Sequence, residues 1–115
     1  MNSKRIQRVN QLLKKELGRI LLREVEFPKD VLVTVTRVES SPNLIQAKVY
    51  ISVMSVEETP RVLQILNWQI YNIQQILNKR LKMRPIPRIK FLEEKETVEA
   101  GRIEELLEEL KKGEK

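Results

Sequence analysis

The chain has 115 residues, a formal net charge of +6, no cysteine and no histidine. These counts exclude disulfides, thiolate metal sites, a thiol nucleophile and the commonest general base. With 41% apolar and 33% charged residues the chain reads as one modest globular domain, and no apolar run approaches the roughly 20 residues of a membrane span. No apolar signal core follows Met1, so a cytoplasmic address is expected.

Charge is spread unevenly. Residues 1–92 hold 17 Lys and Arg against 7 Asp and Glu, whereas residues 93–115 hold 5 against 9. A basic body with an acidic end points to a polyanionic partner, most plausibly nucleic acid. A solvated surface that only promotes solubility is the competing explanation.

From Ser3, a suitable N-cap, to Glu24 the pattern is helical. Ile6, Val9, Leu13, Leu17, Ile20 and Leu21 recur at spacings of three and four and form one stripe. Leu12 and Leu22 fall outside it, which predicts a second apolar contact. Phe27-Pro28-Lys29-Asp30 breaks the helix, because proline disfavours helical backbone in the residue before it. Val31–Glu39, rich in Val and Thr, predicts a strand, and Ser40-Ser41-Pro42-Asn43 a turn. Leu44–Val53 alternates, with Ile45, Ala47, Val49, Ile51 and Val53 on one face and Gln46, Lys48, Tyr50 and Ser52 on the other. The two strands read as an antiparallel hairpin with one wet face.

A second helix is expected to start at Glu58 or Thr59, with Pro60 in its first turn, and to run towards Met83. Ile86–Leu92 predicts a third strand, and its prolines suggest an irregular start or an edge position. Ile103, Leu106, Leu107 and Leu110 keep helical spacing within 98–111, where the remaining positions are mostly Glu. The fold class is therefore α+β: a three-stranded sheet covered by helices on one face, with a further C-terminal helix.

The only glycines are Gly18, Gly101 and Gly113, too few and too dispersed for a phosphate loop or a Gly-x-x-Gly backbone clamp. The glutamates of the C-terminal segment read as the wet side of a helix rather than a metal or catalytic site. No cofactor and no enzymatic activity are expected.

Three groups of side chains are candidates for binding RNA. The first helix carries Lys4, Arg5, Arg8, Lys15 and Arg19 away from its apolar stripe, where they could meet phosphates without reading sequence. Any amphipathic helix needs a polar face, so an ordinary solvated surface competes with this reading. Lys79, Arg80, Lys82, Arg84, Arg88 and Lys90 span the end of the second helix and the third strand. Cations complement a helix C-terminus, which accounts for the first three but not for Arg88 and Lys90. Trp68 and Tyr71 lie off the second helix's stripe, near Gln75, Lys79 and Lys82, and could stack unpaired bases. Packing along a helix edge, or against the C-terminal helix, is the competing explanation, since aromatics more often pack than stack.

Several blocks resemble the ribosome-binding factor A family. They are Arg8-Val9-Asn10-Gln11-Leu12-Leu13-Lys14-Lys15-Glu16-Leu17, Val33–Ser40 with Asn43–Ser52, Arg84-Pro85-Ile86-Pro87-Arg88-Ile89-Lys90-Phe91, and Val98–Leu107. Their order and spacing cover roughly residues 6–110. The resemblance implies a KH-like fold of the second type, α-β-β-α-β with a kinked or long second helix, over residues 1–97. Residues 98–115 would then be an acidic helix and tail. It also implies a non-catalytic factor that binds immature 30S subunits through 16S rRNA during late maturation; a monomer is expected. The family replaces the Gly-x-x-Gly loop with a helix–kink–helix carrying Ala-x-Gly. The matching positions here are Gln69-Ile70-Tyr71, so that motif is absent, and Gln74 stands where arginine is common. Another RNA chaperone on the same scaffold, or a protein–protein adaptor using the acidic helix, are the alternative functions.

Overall fold

A computed structural model describes residues 4–95. The Ser3 cap and the helix expected over 98–111 lie outside the described residues.

α1 (Lys4–Glu24) buries Ile6, Val9, Leu13, Leu17, Ile20 and Leu21, the stripe that periodicity predicts. The turn that follows closes when the Val31 N–H donates to the Pro28 carbonyl at 3.1 Å, and Asp30 takes φ 66°. Asp tolerates that left-handed region better than most residues. β1 (Val33–Ser40) and β2 (Gln46–Val53) pair antiparallel, β3 (Arg88–Glu93) joins β2 in parallel, and the sheet order is β1-β2-β3. A 3-10 turn at Val56–Glu58 leads into α2 (Thr59–Arg80), whose Pro60 lies in the first turn. The parallel β2–α2–β3 crossover returns α2 to the face that α1 also covers. α1 packs on β1, α2 packs on β3, and the helices touch each other. One apolar core results, with Val35, Val38, Ala47, Val49, Ile51, Val53, Ile89 and Phe91 projecting from the sheet into the helix layer. Among the described residues no helix covers the other face. No described helix is long and apolar enough to cross a membrane.

Three local features differ from expectation. The second strand starts at Gln46 rather than Leu44, and Ile45 is 66% exposed instead of joining its apolar row. Leu44 adopts φ 58° within the Ser41–Gln46 turn, which sends Leu44 itself into the core and rotates Ile45 out. The second helix ends at Arg80, not near Met83, because Leu81 turns extended and buries its side chain. In β1 a bulge between Val35 and Arg37 lets both Val35 and Val38 face inward, although strict alternation would separate them. The long second helix is observed: α2 runs unbroken through Gln69-Ile70-Tyr71.

Gln74 has a structural task that helical periodicity could not reveal. β3 is an edge strand, and its outward Ile89 N–H donates to Gln74 Oε1 at 2.9 Å. Gln74 Nε2 donates to the Pro87 carbonyl at 3.1 Å and to Asn78 Oδ1 at 3.0 Å. One side-chain amide thus occupies the place of a neighbouring strand's peptide group and blocks further edge pairing. Gln74→Ala leaves both backbone groups unpaired and is expected to destabilise the domain by about 1–3 kcal/mol, measured by urea unfolding.

Candidate nucleic-acid interface

The bare sheet face is built in rows by the strand register. Glu39 pairs with Lys48 and Lys48 with Lys90; one row further along, Arg37 pairs with Tyr50 and Tyr50 with Leu92. Gln46 lies beside Arg88. Because β-strand side chains alternate, Arg88 and Lys90 are exposed while Ile89 and Phe91 are buried, as their sequence positions predict.

Lys48 and Lys90 stand on adjacent strands about 5 Å apart at the backbone, and like charges placed directly opposite destabilise a sheet. No acidic side chain among the described residues lies within ion-pair distance of Lys48, Arg88 or Lys90. Glu39, which could neutralise Lys48, is instead held by the Arg37 guanidinium and the Tyr50 hydroxyl. The face therefore has three cations without an ion-pair partner among the described residues, beside a cluster in which one arginine holds two carboxylates.

The cluster around Arg37 is well connected. The Arg37 guanidinium lies 3.8 Å from the Tyr50 ring centroid and donates from Nε and Nη2 to Glu94 at 3.0–3.3 Å. The Thr36 hydroxyl donates to Glu94 Oε1 at 2.8 Å. The Arg37 hydrogen bond, opposed by partial burial and reinforced by Thr36, holds the Glu94 carboxyl below its usual 4.5. A carboxylate depressed in the folded state adds stability above its unfolded pKa, and that contribution is lost as pH falls through the folded value. Glu94→Gln is therefore expected to lose less stability than the parent chain on acidification below about pH 4.5, read from thermal melts.

Arg88 also borders a groove of about 520 Å³ between α2 and β3, with Tyr71, Gln75 and Asn78 along its walls. The groove thus joins one predicted cation to one predicted aromatic. Tyr71 is 76% exposed and Trp68 73%, and Trp68 lines a separate shallow depression with Arg61, Leu63 and Asn67.

The remaining predicted cations are placed differently. Lys4, Arg5, Arg8, Lys15 and Arg19 are exposed on α1, in the layer opposite the bare sheet face and on the β1 side. They form a second surface instead of extending the first. Arg80 Nε donates to Glu16 at 2.8 Å, tying α2 to α1, and Arg19 lies 3.8 Å from the same carboxylate. The Arg80 hydrogen bond is the main cause of the lowered Glu16 pKa, against a burial effect that raises it. Arg84 donates to the Met83 and Leu81 carbonyls at 2.7 and 3.3 Å, closing the turn after α2. Lys79 and Lys82 are exposed at that end of α2. Sequence reasoning misses Lys48. Its place on the wet face of a strand is legible, but its position beside Lys90 requires the parallel pairing of β2 with β3.

Among the described residues no cluster of acidic, His or Cys side chains could hold a metal ion. An α-β-β-α-β layer of helices on one three-stranded sheet, with β3 parallel to β2, is a KH-like domain of the second type, here with cations on its bare face. A family model described as Ribosome-binding factor A matches residues 5–107. The ribosome-binding factor A of Thermodesulfovibrio yellowstonii is 40% identical over 109 residues, covering 95% of this chain and 92% of that one. A crystal structure of ribosome-binding factor A from Thermus thermophilus is similar, with a TM-score of 0.66 and 27% identity, over 76% of this chain and 93% of that one. A homology model of the Thermus thermophilus factor, fitted into a cryo-EM map of its complex with 30S, matches with a TM-score of 0.63 and 29% identity, over 72% of this chain and 88% of that one. The chain belongs to the ribosome-binding factor A family.

Proposed function

We propose that this protein binds immature small ribosomal subunits through 16S rRNA and assists late rRNA maturation without catalysis, then leaves the finished subunit. It acts as a cytoplasmic monomer, with residues 1–97 as the RNA-binding domain and residues 98–115 as an acidic appendage. Family membership and the 30S complex of a relative support the reading. The observation that carries it is Lys48 abreast of Lys90 beside Arg88, three cations with no ion-pair partner among the described residues. Phosphates would supply the counter-charge.

Lys48, Arg88 and Lys90 are the principal contacts, with Tyr71 placed to stack a base at the α2–β3 groove and Trp68 a further stacking candidate. Lys79 and Lys82 extend the positive end of α2. On the second surface Lys4, Arg5, Arg8, Lys15 and Arg19 supply further phosphate contacts. Arg80 and Arg84 are secondary, since each already has an internal partner.

Sedimentation of lysate tests the assignment: the protein is expected with free small subunits and not with full ribosomes, and co-migration with full ribosomes alone would contradict it. If about six cations meet phosphates, log affinity for small subunits falls against log salt with a slope of about −4 to −5. A flat dependence, measured by filter binding, removes the electrostatic account.

A further inference from the structure

We propose that residues 98–111 of this chain dock in cis along the groove between α1 and β1, with their leucines on its apolar walls and their glutamates against its basic rim. The groove has a volume of about 650 Å³. Leu22, 81% exposed, and Leu32, 54% exposed, border it, while Lys14, Lys15 and Arg19 stand on its α1 side. Exposed leucines beside cations form a surface for a partner that is apolar on one side and acidic on the other. Residues 98–111 have that character, with Ile103, Leu106, Leu107 and Leu110 at helical spacing and Glu104, Glu105, Glu108 and Glu109 between them.

Three observations make this segment, rather than another molecule, the occupant. The first is where the described chain ends. β3 finishes at the end of the sheet where β2 finishes and β1 begins, since Glu93 pairs with Ile51 and Val53 with Val33. The Glu94 N–H still donates to the Ile51 carbonyl while its side chain bonds Arg37 and Thr36 of β1, so the described residues end within side-chain reach of the strand that borders the groove. The second is reach. Two strand spacings separate β3 from β1, about 10 Å, whereas the chain from Lys95 to Ile103 can extend about 27 Å. The third is Gly18, in the middle of α1 at the groove wall. It has no positive φ and a Cβ there would meet nothing within 4 Å, so neither backbone conformation nor packing among the described residues requires glycine. Glycine is a poor helix former, and its use here keeps the wall open for close approach by another segment.

Docking would engage Lys15 and Arg19 with the chain's own glutamates and withdraw part of the α1 surface from RNA. Only this consequence rests on the proposed function; the docking itself does not. The absence of native cysteine allows a direct test on the full chain. Leu22→Cys with Leu107→Cys is expected to oxidise to an intramolecular disulfide about tenfold or more faster than the control pair Gln64→Cys with Leu107→Cys. Leu32→Cys with Leu106→Cys tests the neighbouring register, and one of the two groove pairs must close. Gly18→Gln is expected to slow that closure without lowering the melting temperature. Closure of neither groove pair, equal rates for groove and control, or disulfides only between two molecules overturns the proposal. The experiment contains no RNA, so its failure leaves the RNA-binding reading intact.

Discussion

Alanine at Lys48, Arg88 and Lys90 together is expected to lower affinity for isolated small subunits by about a hundredfold while thermal unfolding stays the same or improves slightly. Each exposed cation meeting a phosphate contributes about 1 kcal/mol after screening by water, and three such contacts give that factor. The salt slope should flatten by about 0.7–0.8 for each cation lost. The stability readout distinguishes an interface from a structural device. Lys48 and Lys90 are abreast and have no ion-pair partner among the described residues, so their removal relieves repulsion and breaks no ion pair. A matching triple alanine variant at Lys4, Arg5 and Arg8 tests the second surface. Filter binding at two salt concentrations decides between them: a loss confined to the α1 variant would move the interface to the helix layer.

The largest stability effect is expected at Ile51. Its side chain is fully buried at the centre of the sheet, and Ile51→Ala should cost about 2–5 kcal/mol through lost transfer energy and the cavity left behind. That is a large share of the 5–15 kcal/mol, roughly, that holds a domain of this kind together. Ile45→Ala, on the same strand register by sequence, should change stability by less than about 0.5 kcal/mol because Ile45 lies outside the core. Chemical denaturation of the two variants side by side measures the contrast. A comparable cost at both positions would mean that Leu44 does not redirect the chain as described.

The two isoleucines also show where sequence reasoning reaches its limit. Alternation places Ile45 and Ile51 on one face, and it is correct for every apolar residue from Ala47 to Val53. It fails at Ile45 because one left-handed residue, Leu44, shifts the phase by a turn that no periodicity describes. Leucine gives little warning of that conformation, which usually selects glycine or asparagine. The bulge at Thr36 is a milder case: Val35 and Val38 are three apart, so the sequence hints at a break without locating it. Gln74 is conspicuous in the sequence only as a departure from the family's usual arginine, and its pairing with the edge of β3 depends on packing between separate segments of the chain.

The candidate interface divides in the same way. That Arg88 and Lys90 share a wet strand face follows from two-residue periodicity alone. That Lys48 joins them, and that Arg80 and Arg84 are held by Glu16 and by backbone carbonyls, depends on strand order and on what packs against α2.

By itself the sequence determined the α+β class, the order of elements, the α1 stripe and the basic body, because these follow from residue types repeating at helical or strand spacing. Tertiary structure alone decided which cations share a surface, which are paired with Glu16 or hydrogen-bonded to backbone carbonyls, and where Ile45 points. The physical reason is range: periodicity records what a residue does relative to its own segment, whereas electrostatic neighbours are set by register and packing between segments distant in sequence.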